Sequence, residues 1–187
     1  MTLAAAALRG GAEILQLRQK QLGRRELLAL ARRLRQATEE AGVLFVVNDH
    51  VDLALLSRAD GVHLGADDLS ISAARRIAGD NLLIGASAST PAAALAAIKL
   101  GADYVGSGAA FATPLKPQKM VIGPSGVAAV ADAVVPSVPV FAIGGIEASN
   151  LAQLTAAGVR RVCVIRAVGD APDPEAATRE LRAMLEE

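Results

Sequence analysis

Short, almost continuously apolar runs recur along the chain, separated by segments in which apolar positions fall three or four residues apart. The runs span residues 14–18, 44–48, 61–64, 82–86, 103–106, 140–143 and 162–165. Runs of this length are typical of strands that are buried on both faces of a parallel sheet. The pattern therefore predicts seven strands.

The intervening segments have the periodicity of amphipathic helices. Between residues 24 and 41, Leu27, Leu30 and Leu34 share one side and arginines cover the other. Thr90 followed by Pro91 predicts the N-cap and first position of another helix. Further helices are predicted over 3–8, 149–157 and 174–185. The dipeptide Ala-Asp occurs at 59–60 and at 102–103, where the chain passes from a predicted helix into the next predicted strand.

Alternation of this kind predicts a closed (β/α)8 barrel or an open doubly wound sheet. No linker, low-complexity run or charge block divides the chain, so residues 1–187 are expected to form one domain.

Composition narrows the classes of function. The 19 basic and 19 acidic residues cancel, and only 2% of residues are aromatic, so neither a nucleic-acid partner nor a base-stacking surface is expected. The most apolar stretch, 126–146, contains Asp132 and two prolines, which argues against a membrane span. A single cysteine, Cys163, allows no internal disulfide and fits the reducing cytoplasm; its position within a strand predicts burial.

Polar residues gather where the predicted strands end, which is where α/β proteins bind ligands. Gln16, Arg18 and Lys20 alternate along the first strand end, so one face offers an amide and two cations to an anion. The alternative is a solvated strand end whose charges have no ligand.

Two carboxylates follow the next strand ends. Asp49 and Asp68 suit Mg²⁺, which binds one or two carboxylates together with substrate phosphates. The alternative is that Asp49 or Asp68 caps the helix that follows it, and Ser70 is a competing cap in the case of Asp68. His63 lies inside a strand and is interpreted as a core residue, and His50 has no predicted role.

The later strand ends offer hydroxyl groups, a lysine and glycines. Ser87 could contact a phosphate, and Thr113 with Lys116 lies in a long loop that is either a lid or a linker.

Gly145, after a paired glycine, and Ile165-Arg166 end the last two strands, where backbone N–H groups often bind phosphate. Together these features predict a metal-bound diphosphate beside a second phosphate, and hence a transferase that joins two phosphorylated ligands.

From residue 10 onward the chain resembles the thiamine phosphate synthase family. The specific motifs are Gln-Leu-Arg-Gln-Lys at 16–20, Val-Asn-Asp at 47–49 and the segment from 59 to 68; weaker ones lie at 102–106 and 143–146. The resemblance implies a TIM (β/α)8 barrel from which this chain lacks the first N-terminal strand. It also implies condensation of hydroxymethylpyrimidine diphosphate with hydroxyethylthiazole phosphate, by a dissociative, Mg²⁺-assisted mechanism.

The resemblance also assigns roles to residues. Asp49 and Asp68 would bind Mg²⁺, and Ser87 and Lys116 would be the catalytic contacts to the diphosphate. The remaining substrate-binding residues would be Gln16, Arg18, Lys20, Asn48, Thr113, Gly145, Ile165 and Arg166.

Several positions depart from the family pattern. Leu115 replaces a hydroxyl residue, Ser89 a histidine and Arg166 a serine, and 187 residues is short for a complete barrel, which usually needs at least ~200. We therefore expect either a barrel that is open at one seam, which would invite a second copy of the chain, or a start upstream of Met1. The alternative functions are a thiazole tautomerase-like enzyme and a non-catalytic protein that binds a phosphate ligand.

Overall fold

The computed structural model describes residues 2–114, 118–134 and 138–186. Within them, seven strands alternate with helices, as the apolar pattern predicts. The strands are β1 (Ile14–Leu17), β2 (Leu44–Asn48), β3 (Gly61–Leu64), β4 (Leu83–Ser87), β5 (Tyr104–Ser107), β6 (Val140–Ile143) and β7 (Val162–Cys163). The helices are α1 (Thr2–Arg9), α2 (Arg24–Ala41), α3 (Val51–Ser57), α4 (Ile71–Ala78), α5 (Pro91–Lys99), α6 (Gly123–Val134), α7 (Ala148–Ala156), α8 (Arg166–Gly169) and α9 (Pro174–Glu186).

All strands are parallel and lie in chain order from β1 to β7. Val62 and Ile84 pack with α2 residues such as Leu27 in one hydrophobic core cluster, so this face of the sheet is covered by helices. The alternate residues, among them His63 and Ser87, point to the opposite, inner face. In the described residues β1 and β7 do not pair with each other, so the sheet forms a barrel that is open at one seam, which is the first of the two alternatives given for the short chain.

The helix starts follow the capping signals. Thr90 Oγ1 accepts a hydrogen bond from the N–H of Ala93 at 3.2 Å, which confirms the predicted cap of α5. Ser70 caps α4 by accepting from the N–H of Ala73 at 3.3 Å. Ser70 is therefore the N-cap of α4, and the alternative in which Asp68 caps this helix is wrong. No described helix is long and apolar enough to cross a membrane.

Some strand boundaries differ from the prediction. The ladders of β4 and β5 extend to Ser87 and Ser107, one residue beyond the apolar runs, because Ser87 pairs with Gly106 and Ser107 pairs with Ala142. The last strand ends at Cys163 rather than at residue 165, since Ile165 already precedes the first turn of α8. Cys163 is partly rather than fully buried, and burial raises the pKa of its thiol.

The amino-terminal ends of the strands are tied by a repeated carboxylate–arginine unit. Asp103 Oδ2 accepts from the N–H of Ile84 at 2.7 Å and from Arg75 Nη2 at 2.5 Å. Asp60 Oδ2 accepts in the same way from a backbone N–H of β2 at 2.7 Å and from Arg35 at 2.6 Å. The Ala-Asp steps thus link neighbouring strands at the end of the sheet that is opposite to the expected site.

Candidate active site at the carboxyl ends of the strands

A cleft of about 260 Å³ opens beyond the ends of β1 and β2. Arg18 and Lys20 from the first loop and Asn48 and Asp49 from the second line it. The structure therefore brings together four of the predicted site residues, which lie about thirty positions apart in the chain. Gln16 does not line this cleft: it pairs with Val46, below the level of Asn48.

The two predicted metal ligands are in direct contact. The side chains of Asp49 and Asp68 share a hydrogen bond. Asp49 adopts a left-handed backbone conformation (φ 69°), and its N–H donates to the carbonyl oxygen of His63 at 2.9 Å. Asp68 Oδ2 accepts from the N–H of Gly65 at 2.7 Å. Two turns thus hold two carboxylates against each other at the mouth of the barrel.

This contact is electrostatically unfavourable unless a positive charge or a proton compensates it. Burial raises the pKa of Asp49, and the hydrogen bond with Asp68 and the charge of Asp68 raise it further. The charges of Lys20 and His50 act in the opposite direction. The pair can therefore hold a proton or a divalent cation between its oxygens.

Two residues of the cleft were missed in the sequence. Arg24, the first residue of α2, donates to His50 Nδ1 at 3.1 Å and forms an ion pair with Asp52. Arg24 and His50 both line the cleft. The available signal is position, since each directly follows a strand-end loop, but the helical periodicity of residues 24–41 groups Arg24 with the solvent-facing arginines of the helix.

Ser87 lies at the end of β4, exposed at the mouth of the barrel. Its Oγ is 3.0 Å from Nε2 of His63, which is only 9% exposed. The His63 ring also faces Tyr104, with ring centroids 5.6 Å apart. His63 is buried, as its interpretation as a core residue implies, yet its side chain contacts a predicted catalytic residue.

The loop after β5 is fastened to the end of β6. Ala110 and Phe111 donate backbone hydrogen bonds to the carbonyl oxygens of Ile143 and Gly144, each at 2.9 Å. Residues 110–111 are therefore part of the barrel rim, and a lid could only begin after them, near Thr113. Lys116 lies outside the described residues.

The paired glycines make room for the chain itself. A Cβ on Gly145 would lie 2.4 Å from the carbonyl oxygen of Ala112, and φ at Gly145 is +63°. This close approach gives a packing reason for glycine at position 145. Among the described residues, none accepts a hydrogen bond from the N–H of Gly145.

Arg166 reaches the same segment from the end of β7. Its guanidinium is 3.6 Å from the carboxylate of Glu147, the residue that precedes α7. Asn150 secures the turn by donating to the carbonyl oxygen of Gly145 at 2.8 Å. Ile165, 45% exposed, precedes Arg166 at the start of α8. The predicted phosphate residues Gly145, Ile165 and Arg166 thus lie on two adjacent strand ends.

Comparison with known proteins identifies a consistent set of relatives. The family model described as thiamine monophosphate synthase matches residues 1–168. The thiamine-phosphate synthase of Haloquadratum walsbyi is 47% identical over 184 residues, which cover 97% of this chain and 82% of that protein. The thiamine-phosphate synthase of Methanoculleus marisnigri is 48% identical over 182 residues, covering 96% and 85%.

Solved structures agree with the sequence comparison. A thiamine phosphate pyrophosphorylase from Pyrococcus furiosus superposes with a TM-score of 0.92 at 42% identity, covering 99% of this chain and 88% of that one. A 3-hexulose-6-phosphate synthase superposes with a TM-score of 0.73 at 22% identity, covering 98% and 94%. The second likeness shows a shared barrel fold only.

Proposed function

The chain belongs to the thiamine monophosphate synthase family, and we propose that its strand-end site joins hydroxymethylpyrimidine diphosphate to hydroxyethylthiazole phosphate. It is a transferase that forms thiamine phosphate, and diphosphate is the leaving group. The observation that carries the proposal is the Asp49–Asp68 carboxylate pair beside Arg18 and Lys20. Acidic and basic groups of this kind, side by side, suit a diphosphate that binds together with a divalent cation.

The residues at this position fit Mg²⁺. Asp49 and Asp68 offer hard oxygen ligands whose mutual repulsion a cation would relieve. Mg²⁺ is commonly bound through one or two carboxylates together with waters and substrate phosphates, so two carboxylates are a sufficient protein contribution. When bound, Mg²⁺ neutralises charge on the departing diphosphate.

The side chains of the cleft bind and orient the diphosphate. Arg18 and Lys20 supply positive charge from one strand end, and Asn48 supplies an amide from the next. Ser87 offers a hydroxyl from β4 at the opposite side of the carboxylate pair. These groups stabilise the charge that accumulates as the bond from carbon to diphosphate breaks.

The mechanism that the family resemblance implies is dissociative, and it needs no covalent bond between substrate and protein. The Cys163 thiol has a raised pKa through burial, so it is poorly suited to attack. The bonding electrons leave with diphosphate, and the thiazole nitrogen donates its lone pair to the pyrimidine-methyl cation. Holding both reactants in contact is then the main contribution of the protein.

The second phosphate would bind at the other side of the mouth. Gly145 lies in the turn before α7, and the guanidinium of Arg166 is 3.6 Å from the carboxylate of Glu147 in the same turn. Backbone N–H groups before a helix together with an arginine form a suitable site for a phosphate monoester. The thiazole phosphate would therefore enter beside β6 and β7.

The alternative enzyme is less well supported. A thiazole tautomerase-like activity would use a histidine after β5, and the sequence has no histidine beyond His63. The non-catalytic alternative is distinguished by an assay for thiamine phosphate.

The single cysteine favours a cytoplasmic location, which is part of the proposal.

The decisive experiment incubates the protein with both phosphorylated substrates and Mg²⁺ and measures thiamine phosphate. We expect product from the wild type and at least about a hundredfold less from Asp49→Asn, because one cation ligand is lost. Asn is chosen because it tolerates the left-handed conformation of this position. Folded protein that makes no product would favour the non-catalytic alternative.

A matched variant controls for charge. Asp67 is exposed and adjacent to Asp68, so Asp67→Ala removes a carboxylate without changing the pair and should keep full activity. Asp49→Asn should still bind thiazole phosphate in calorimetry. Equal turnover of Asp49→Asn and the wild type would contradict the metal assignment.

A further inference from the structure

The His63 side chain occupies a place in the barrel interior that the proposed reaction does not explain. It lies on the inner face of β3, its Nε2 is 3.0 Å from Ser87 Oγ, and it is 9% exposed. We propose that His63 is a positioning residue: its imidazole fixes the Ser87 hydroxyl so that the hydroxyl hydrogen points to the diphosphate. This inference rests on the proposed function, in which Ser87 contacts that group.

The ring is held in place by its neighbours. A Cβ on Gly106 would lie 2.9 Å from Cε1 of His63, so the absent side chain on β5 makes room for the imidazole. Gly85 on β4 pairs with His63 on one side and with Tyr104 on the other. It makes room for the Tyr104 ring, because a Cβ on Gly85 would lie 2.0 Å from that ring. The imidazole therefore has one packed position, and in that position it reaches Ser87.

The chemistry of the partners fixes the direction of the hydrogen bond. A serine hydroxyl has one hydrogen and rotates freely, whereas a diphosphate oxygen can only accept. If Ser87 donates to the diphosphate, its oxygen must accept from His63, so Nε2 of His63 carries the hydrogen. The imidazole thereby prevents the hydroxyl from pointing back into the barrel.

His63 has a second contact that substitution leaves intact. Its backbone carbonyl oxygen accepts from the N–H of Asp49 at 2.9 Å. A change of side chain removes the contact with Ser87 and the ring packing, whereas the backbone hydrogen bond that supports the carboxylate pair does not depend on the imidazole. The role of the imidazole can therefore be measured separately from the metal site.

Two amide variants separate the two ring nitrogens. His63→Gln places an N–H donor near the position of Nε2, while His63→Asn places its amide near Nδ1 and cannot reach Ser87. We expect His63→Asn to lower kcat/KM for the pyrimidine diphosphate about tenfold, and His63→Gln to stay within about threefold of the wild type. KM for the thiazole phosphate should not change in either variant.

The dependence on Ser87 is tested in a double-mutant cycle. With Ser87→Ala in the background, His63→Asn and His63→Gln should have equal activity, because the group that His63 positions is gone. A Gly106→Ala variant, which displaces the ring without changing His63 or Ser87, should lower activity as His63→Asn does. Thermal melts confirm that each variant is folded.

Three results would overturn the inference: equal activity of the Asn and Gln variants with Ser87 present, a tenfold loss that persists without Ser87, or a Ser87→Ala variant as active as the wild type. Calorimetry with inorganic diphosphate and Mg²⁺ gives a readout that does not require turnover. Weaker binding by His63→Asn but not by His63→Gln supports the inference even if no thiamine phosphate forms, so its failure is distinguishable from failure of the proposed function.

Discussion

Removing the Asp103 carboxylate should destabilise the barrel at the end opposite to the site. In the wild type, Asp103 Oδ2 accepts from the backbone N–H of Ile84, a residue with no exposed surface, and from Arg75. In Asp103→Ala the Ile84 N–H is left buried without its acceptor, which costs about 1–3 kcal/mol. Arg75 still donates to the carbonyl oxygens of Gly79, Leu82 and Gly101, at 2.9, 2.9 and 2.8 Å.

Loss of the ion pair with Arg75 lowers the free energy of unfolding by less than loss of the acceptor for the Ile84 N–H does. The Asp103 side chain is 38% exposed, so solvent screens its charge and the pair contributes under about 1 kcal/mol. We therefore expect Asp103→Ala to lower the free energy of unfolding by about 2–3 kcal/mol, a large part of the ~5–15 kcal/mol typical of a domain. The melting temperature should fall by about 4–12 °C.

Urea unfolding followed by far-ultraviolet circular dichroism measures this change, since the chain has no tryptophan. Asp103→Asn keeps an acceptor oxygen and should recover about half of the loss. Asp80→Ala removes an exposed carboxylate that has no described ion pair, and should change stability by less than about 0.5 kcal/mol. An Asp103→Ala protein within about 0.5 kcal/mol of the wild type would refute the reasoning.

Other measurements address the site. Burial and Asp68 raise the pKa of Asp49 above 3.8, so the stability that protonated Asp49 contributes is fully present below pH 3.8 and is lost as the pH rises through the folded-state pKa. In metal-free buffer, urea titrations from pH 4 to 7 should show this loss in the wild type but not in Asp49→Asn. The same dependence of unfolding free energy on pH in both proteins would contradict the prediction. Gly145→Ala should lose about 1–3 kcal/mol of stability, because its Cβ would meet a carbonyl oxygen and φ is positive, and an unchanged melting temperature would be inconsistent with that packing. Glu147→Gln should lower KM for the thiazole phosphate about two- to fivefold by freeing Arg166 and removing a negative charge, whereas an increase would mean that Glu147 assists binding.

Much of the site follows from local sequence. In a parallel barrel every strand ends at the same rim, so polar residues that follow strands must meet there. This is why Arg18, Lys20, Asn48 and Asp49 could be grouped before any coordinates, and why the cap at Thr90 could be named from two residues. Such inferences need only the spacing of hydrophobic positions along the sequence and the chemistry of short motifs.

The sequence by itself determined the strands and the rim that carries the chemistry, because alternation and capping act over a few residues, whereas the order of the strands in the sheet comes from the tertiary structure. Tertiary structure alone decided that Asp49 and Asp68 touch, that Gly145 is needed to pack against Ala112, and that His63 supports Ser87. Those contacts depend on sheet register and on side-chain packing between strands. Register is set by the whole barrel, and no local pattern encodes which side chains it brings within hydrogen-bonding distance.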